Sequence, residues 1–255
     1  ELFGIEKWEP PIPVHMRGQV ENARGKTLKY DIENFKRYPD VFQDGEEVIF
    51  TEKIHGTLCQ MVLDKDHGYF VTSKGLGAKG LGLKINPANA TNLYVQNFNH
   101  YSGFLDYLQM VTQEPYVCVL GEIFGQGVQD LTYGFNRPQF RVFDIFVGKS
   151  PNEGSFFPFA RMESIVNSYK LELSDNGEEI VDLDVVPVLY KGPFSKETME
   201  EYTDGKESVS GEAKNIREGI VIKPTQEREN PELGRVVLKN VSEKYLLRKG
   251  GTEHN

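Results

Sequence analysis

The 255-residue sequence lacks the features of several large protein classes. Its two cysteines, Cys59 and Cys118, lie among apolar neighbours without metal-ligand spacing, so neither a disulfide framework nor a zinc site is indicated. Two buried thiols in a reducing compartment are the favoured interpretation, and we expect an intracellular protein of the cytoplasm or nucleus. No apolar run approaches the roughly 20 residues of a membrane-spanning helix, so no membrane partner is expected. The absence of a Walker A sequence excludes a P-loop enzyme.

Positive charge is also in deficit, because 29 Lys and Arg stand against 38 Asp and Glu, a net charge of −9. A protein that coats nucleic acid without specificity needs surplus Lys and Arg to neutralise phosphates, so this class is disfavoured. A local basic groove on an acidic body is still compatible with the charge. The 16 Phe and 12 Tyr supply enough apolar surface for a core, which excludes wholesale disorder.

The hydrophobic pattern predicts one mixed α/β domain rich in antiparallel sheet, with no internal repeat and no βαβ alternation. Alternating or apolar runs predict strands at residues 48–50, 58–63, 69–72, 116–123, 141–147, 181–189, 219–223 and 235–241. Helical patterns occur at residues 92–111, with Gly103 as a candidate break, at 158–170, and at 195–202 with Ser195 as the cap. Residues 65–68 predict a hairpin turn. Residues 206–215 predict a polar loop of low order, to which we assign no function.

A glycine-rich stretch at residues 73–82 contains Gly75-x-Gly77-x-x-Gly80, the spacing of the dinucleotide-binding fingerprint. That fingerprint also needs a helix opening at the last glycine and an acidic residue about 20 positions further on. Gly82, Pro87 and several asparagines follow instead, so we predict a mobile glycine loop. Its lysines could contact phosphates: Lys74, Lys79 and Lys84.

Residues 52–57, Glu-Lys-Ile-His-Gly-Thr, lie between two predicted strands. A lysine at a strand end beside a glycine turn can project its amine into a pocket and act as a nucleophile. Alone, the segment equally fits a surface turn with an ordinary lysine. Charged residues on other predicted strands argue for the pocket, because a charge among apolar neighbours needs a partner or a cleft. These residues suit a polyanion and a divalent metal: Glu122, Glu218, Lys223 and Lys239.

In this order and spacing, the residues resemble the motifs of the covalent nucleotidyltransferase superfamily of polynucleotide ligases and capping enzymes. Lys53-x-His55-Gly56 is similar to the nucleophile motif Lys-x-Asp-Gly, and its histidine points to the RNA ligase 2-like branch. Five further motifs match at residues 73–75, 121–125, 141–146, 218–223 and 238–240. Residues 7–13 and 243–252 resemble the Deinococcus-type RNA ligases, which carry an OB module before the transferase domain.

The resemblance implies a covalent nucleotidyltransferase (ATP-grasp-like) fold, with residues 1–20 as a linker from an absent OB module and 21–255 as the adenylyltransferase domain. It implies an ATP-dependent RNA ligase in which Lys53 attacks the α-phosphate of ATP and holds AMP. The AMP then passes to an RNA 5′-phosphate, and a 3′-OH displaces it. The implied partners are RNA ends or nicked duplexes, and the expected state is a monomer. Without a C-terminal RNA-binding domain, the chain is expected to adenylylate more efficiently than it seals.

The resemblance also implies a site that uses ATP and Mg²⁺ or Mn²⁺. The catalytic set it implies is Lys53, His55, Glu122, Glu218, Lys223 and Lys239. The nucleotide-binding set it implies is Glu52, Lys53, Gly56, Lys74, Glu122, Phe143, Lys223 and Lys239.

Within these sets, Glu52 is implied to contact the adenine and Phe143 to stack on it. Glu122 and Glu218 are implied to bind the ribose hydroxyls or the metal, since Mg²⁺ prefers oxygen ligands. Lys223 and Lys239 are implied to neutralise the phosphates, and Lys74 the 5′-phosphate. His55 is implied to orient the ribose or the RNA end, with a structural role as the rival interpretation.

The sequence departs from the family pattern at its last motif, where Val237 stands in place of an expected lysine. Arg235 and Lys244 are the candidate replacements, and loss of one phosphate contact is the alternative. The closing residues have only Glu243 as an acidic neighbour, which predicts a basic cleft and weak, salt-sensitive binding of RNA. These basic residues are Arg235, Lys239, Lys244, Arg248 and Lys249.

Two alternatives remain open. A DNA ligase or a capping-type nucleotidyltransferase uses the same lysine chemistry, although His55 and the lack of a downstream OB domain argue against both. A non-catalytic nucleotide- or RNA-binding module belongs to a different class. The presence of Lys53, Glu122, Glu218 and Lys239 argues against it, because a pure binder needs no nucleophilic amine.

Overall fold

The computed structural model describes residues 19–248. The predicted linker therefore lies outside the described residues except for its last two positions, as does Lys249, and the domain boundary remains a prediction. The strands are β1 (Val20–Asn22), β2 (Glu33–Asn34), β3 (Glu47–Lys53), β4 (Thr57–Asp64), β5 (Gly68–Ser73), β6 (Leu81–Leu83), β7 (Tyr116–Gly125), β8 (Pro138–Ser150), β9 (Glu153–Phe156), β10 (Asp184–Val185), β11 (Val188–Pro193), β12 (Gly219–Pro224), β13 (Glu229–Asn230), β14 (Gly234–Arg235) and β15 (Leu238–Val241). The α-helices are α1 (Lys74–Ala78), α2 (Leu93–Thr112), α3 (Phe159–Asp175), α4 (Lys196–Thr203) and α5 (Glu243–Leu246).

Two sheets form the framework. The larger has the strand order β1-β6-β5-β4-β7-β8-β10, with β9 paired to β8, and the smaller has the order β11-β3-β12-β15-β2. The pairs β8–β10 and β15–β2 are parallel, whereas the other pairs in these sheets are antiparallel. The predicted mixed α/β class with largely antiparallel sheets is therefore confirmed.

Each sheet has its own apolar core. One face of the larger sheet packs against α2 and α3, and the smaller sheet packs its apolar residues with Phe194 and with Met199 of α4. A third cluster covers the opposite face of the larger sheet. Cys59 and Cys118 are fully buried free thiols in the first and third clusters, so the expectation of no disulfide is confirmed.

Helix α2 is continuous through Gly103, so the candidate break there is wrong. Its N-terminus is capped by the Asn92 side chain, which accepts hydrogen bonds from the backbone N–H groups of Tyr94 and Val95. A Cβ at Gly103 would lie 2.8 Å from the Tyr169 hydroxyl oxygen on α3. The glycine is thus explained by close approach of the two helices rather than by a helix end.

Three other predicted segments differ from the structure. Residues 74–78, predicted as part of a mobile loop, form helix α1 with Ser73 as its cap, although no helix starts at Gly80 and a strand follows there. The predicted strand at 181–189 is interrupted before Pro187, which has no N–H to donate. The predicted strand at 235–241 is likewise divided between β14 and β15.

Residues 206–215 also differ, because this predicted low-order loop has a buried hydrogen-bonded centre. The Glu207 side chain accepts from the backbone and hydroxyl of Ser210 and from the backbone N–H of Lys214. Glu207 is only 2% exposed. A carboxylate buried in this way holds the loop in one conformation.

Across residues 19–248, no helix combines the length and apolar character that crossing a membrane requires.

Candidate active site

A cavity of about 280 Å³ lies between the two sheets, lined by β3, β12 and β15 of the smaller sheet and by β4, β7 and β8 of the larger. Its walls contain most of the site residues selected from the sequence: Glu52, Lys53, Gly56, Lys74, Glu122, Phe143, Lys223 and Lys239. The two selected residues that do not line it, His55 and Glu218, lie directly behind it. The fold therefore brings together motifs that are far apart along the chain.

Lys53 is the last residue of β3, and its ammonium forms an ion pair with the Glu218 carboxylate. Glu218 directly precedes β12, where Gly219 pairs with Lys53 across the sheet. The Lys53 side chain is 25% exposed and that of Glu218 is 3% exposed. A buried carboxylate thus holds a partly accessible amine at the cavity wall.

Gly56 allows the turn after Lys53 to lie directly against β7. A Cβ at this position would lie 2.2 Å from the Ile123 carbonyl oxygen and 3.0 Å from Glu122 Cγ. Real Cβ atoms do not tolerate the first of these contacts, so only glycine fits without a shift of β7. The close approach places Glu122 beside the turn that follows the nucleophile candidate.

Lysines from three different elements line one side of the cavity. Lys239 on β15 lines it, and its pKa is lowered by burial and by the neighbouring positive charge of Lys53. Lys74, at the start of α1, forms a 2.8 Å ion pair with Asp31. Lys53 and Lys74 each have a carboxylate partner, and together with Lys239 they present three ammonium groups that suit an anionic ligand such as a polyphosphate.

Lys223 lines the cavity, but its ammonium is held by other groups. It donates hydrogen bonds of 2.6 Å to the Phe143 carbonyl and 2.7 Å to Asp144 Oδ1. The residue is 3% exposed, and burial lowers the pKa of its ammonium. These contacts make Lys223 a support for the Phe143 segment, and its contact with a phosphate stays a prediction.

Asp144 is the centre of a buried charge cluster behind Phe143. Arg235 donates hydrogen bonds of 2.9 and 2.8 Å to its two oxygens, and Tyr30 donates a further one. Burial alone would raise the pKa of Asp144, but the charges of Lys223 and Arg235 hold it well below its ordinary value.

The prediction that the closing segment has only Glu243 as an acidic neighbour is wrong for Arg235, Lys244 and Arg248. Arg235 also pairs with Glu227 and lies 3.7 Å over the Phe156 ring, so it does not replace the missing lysine of the last motif. Lys244 pairs with Asp204 at 2.9 Å and is 72% exposed. Arg248 pairs with Asp130. Asp204 and Asp130 come from distant parts of the chain, so sequence neighbours alone did not reveal them, whereas Glu227 lies only eight positions before Arg235.

Substitution of Asp144 by asparagine is expected to lower the free energy of unfolding by about 3–5 kcal/mol at neutral pH, because it breaks a buried ion cluster. The loss should shrink as the pH falls, since a carboxyl with a depressed pKa stabilises the fold only above its native titration range. Urea unfolding at several pH values measures both effects. The exposed turn residue Asp66, changed to asparagine, is the control, and equal stability of the Asp144 variant and wild type would contradict the assignment.

His55 lies in a second buried network, outside the cavity. Its ring nitrogens are each 2.7 Å from a partner, Nε2 from Asp130 Oδ1 and Nδ1 from the Tyr245 hydroxyl. Its backbone N–H donates to the Tyr133 hydroxyl, and Arg248 lies 3.6 Å over the Tyr245 ring. With 2% exposure, His55 matches the structural interpretation and not contact with a ribose or an RNA end.

Sequence reasoning missed three residues of the site. Tyr30 and Asp31 line the cavity from a segment between β1 and β2, and the Tyr30 ring centroid lies 5.4 Å from that of Phe143. Ser208, in the loop assigned no function, donates its backbone N–H at 2.7 Å and its hydroxyl at 2.5 Å to Glu52 Oε2. Neither segment carries a motif or a strand periodicity, so no sequence signal marked them.

Glu52 itself is 1% exposed at the cavity wall. Burial raises the pKa of its carboxyl, although the Ser208 hydrogen bonds oppose this effect. Its second oxygen, Oε1, is buried and has no hydrogen-bond partner among the described residues. Since an unpaired buried acceptor costs free energy, a ligand donor at this wall would be stabilised.

The carboxylates suit a metal that is shared with a ligand. Within residues 19–248 no group of three or more His, Cys, Asp or Glu side chains forms a metal site by itself. Mg²⁺ and Mn²⁺ commonly take one or two carboxylates together with phosphate oxygens and water. Glu122 at the cavity and Glu218 behind Lys53 supply that donor set, so the residues present fit such an ion.

The fold and the cavity define a class of protein: a two-sheet α/β domain with a lysine-rich, ligand-sized cleft between the sheets. A family model described as RNA ligase matches residues 46–241. The chain therefore belongs to the RNA ligase family. No curated protein sequence matches it.

Solved structures of Naegleria gruberi RNA ligase share the fold. The structure with PPi is 22% identical and has a TM-score of 0.60. Variants of that enzyme with ATP and Mn (22% identity, TM-score 0.63) and with AMP and Mn (21%, 0.62) are similar. In each case the match covers 96% of this chain and 65% of the Naegleria chain, so this chain spans just under two thirds of that enzyme's length.

Proposed function

We propose that this chain is the catalytic domain of an ATP-dependent RNA ligase, with Lys53 as the nucleophile. The observation that carries the proposal is the Lys53 amine at the wall of a lysine-lined cavity, in contact with Glu218. Family membership and the fold shared with an RNA ligase solved with ATP and Mn support it.

In the first step, Lys53 Nζ forms a bond to the α-phosphorus of ATP, and the bond from that phosphorus to the bridging oxygen breaks, releasing pyrophosphate. The amine must lose its proton, and the Glu218 carboxylate is the contacting group that can receive it. In the second step, an RNA 5′-phosphate oxygen displaces Lys53 from AMP. In the third, an RNA 3′-hydroxyl displaces AMP and forms the phosphodiester.

The other cavity residues have roles that follow from their positions. Lys239 and Lys74 neutralise the phosphates, Glu52 and Phe143 hold the base, and Lys223 holds the Phe143 segment. Glu122 and Glu218 would hold Mg²⁺ or Mn²⁺, and the ion would stabilise charge on the phosphate oxygens. His55 fixes the turn after Lys53 from behind.

The direct test is mass spectrometry of the purified chain after incubation with ATP, GTP or NAD and either Mg²⁺ or Mn²⁺. We expect an acid-labile AMP adduct on Lys53 from ATP. The adduct should not form when EDTA removes the metal before ATP is added. The absence of an adduct from every nucleotide would overturn the proposal. An adduct from GTP or NAD would instead favour a capping-type enzyme or a different ligase class.

The polynucleotide is tested separately, by sealing of matched nicked RNA and DNA duplexes at several salt concentrations. We expect RNA to be the preferred substrate. Sealing should be weak, because the net charge of −9 repels phosphates, and it should fall with salt, because the lysine contacts with phosphate are electrostatic. Preferential sealing of DNA would support the DNA ligase alternative.

A further inference from the structure

We propose that Ser208 is a positioning residue for nucleobase selection: it binds one oxygen of Glu52 and so presents the other to the 6-amino group of adenine. The inference rests on the proposed function and concerns how the same site distinguishes ATP from other nucleoside triphosphates. No motif marks Ser208, which lies in the loop between α4 and β12.

The geometry at Glu52 is asymmetric. Oε2 accepts both hydrogen bonds from Ser208, at 2.7 Å from the backbone N–H and 2.5 Å from the hydroxyl. Oε1 is buried without a hydrogen-bond partner among the described residues. A carboxylate in this state can only accept, so it favours a ligand that donates, as the adenine amino group does, and disfavours the guanine carbonyl oxygen.

Hydrogen bonds within the loop hold Ser208 in place. The neighbouring Glu207 accepts three hydrogen bonds from the same loop, and its own N–H donates to the Asn215 carbonyl. Arg217 donates to the Lys206 carbonyl at 3.0 Å, which closes the loop next to Glu218. Ser208 thus comes from a preorganised segment and does not have to be ordered when a ligand binds.

The position of Ser208 separates it from the groups that react. It does not line the cavity, and its contact with the site passes through Glu52. Loss of its hydroxyl should therefore change the preference for one base over another while leaving the phosphate and metal contacts intact. A site that hydrogen-bonds a substrate amino group discriminates strongly against analogues that lack it.

The test measures kcat/KM for adduct formation with ATP and with purine riboside triphosphate, which lacks the 6-amino group. In Ser208→Ala we expect kcat/KM for ATP to fall about tenfold with little change for the analogue, so the preference falls by the same factor. Ser208→Thr retains the hydroxyl and should restore the preference. Ser210→Ala, which alters a Glu207 contact in the same loop, should keep it.

Equal preference in wild type and Ser208→Ala, with both proteins folded by circular dichroism, would overturn the inference while the proposed function stands. A matching loss in Ser210→Ala would also overturn it, because the effect would then come from the loop as a whole. Failure of wild type to form an adduct with ATP would remove the proposed function itself.

Discussion

Replacement of Lys53 by alanine is expected to reduce formation of the AMP adduct by at least about 10⁴-fold, as for loss of a covalent nucleophile in other enzymes. The reason is that, within residues 19–248, no other lysine amine occupies the position of the Lys53 amine. Lys239 and Lys74 line the cavity too, but each projects from a different element, β15 and α1. Rapid-quench assays with labelled ATP, followed by peptide mapping of the adduct, measure the effect.

The matched control for this substitution is Lys191→Ala. Lys191 is an exposed lysine on β11, opposite Ile49 of β3, so the variant removes a lysine from the same sheet without touching the cavity. It should retain wild-type activity. An adduct of normal yield in Lys53→Ala, on whichever lysine it is found, would contradict the assigned nucleophile.

Replacement of Glu218 by glutamine is expected to lower the rate of adduct formation by about 10²–10³-fold, comparable to removal of one electrostatic contact in a preorganised site. The change removes the charge that holds the Lys53 ammonium and one of the two carboxylates proposed for the metal. The domain should stay folded, because the partly exposed Lys53 can be solvated by water, although loss of the charge on a buried carboxylate should lower the free energy of unfolding by about 1–3 kcal/mol. Single-turnover kinetics and urea unfolding of the same preparation separate the two quantities.

The control is Glu229→Gln, which removes the same charge from an exposed position on β13. If Glu218→Gln unfolds the domain, the ion pair with Lys53 has a structural purpose and the catalytic role is wrong. A rate within a few-fold of wild type in a folded Glu218 variant would contradict the role just as directly. Only a folded, slow variant supports the proposal.

The fold class and most of the site membership were predictable from the sequence because they depend on local patterns. Apolar runs such as residues 116–123 mark buried strands, and the cap residue Ser195 marks a helix start. The motif from Lys53 to Gly56 and the charges inside apolar strands mark a cleft, because an isolated charge in a strand needs a partner or a ligand. Lys239, which lines the cavity, is an example.

Partners of the charged residues were not predictable in the same way. The sequence suggested a basic closing segment, yet Arg235 pairs with Asp144, 91 positions away, and Arg248 pairs with Asp130, 118 positions away. Lys223 likewise binds Asp144 and the Phe143 carbonyl. Ion pairs form between groups that the strand order brings together, and sequence distance carries no information about them.

The sequence by itself determined which residue types are available: a nucleophile candidate, three carboxylates, an aromatic and several lysines, each carried by a recognisable strand or turn. The tertiary structure decided which of them face the cavity. It placed His55 behind the cavity, assigned Lys223 to support of the Phe143 segment, and recruited Ser208 from an apparently featureless loop. The physical reason is that backbone patterns are local, whereas the environment of a side chain depends on strand pairing between distant segments.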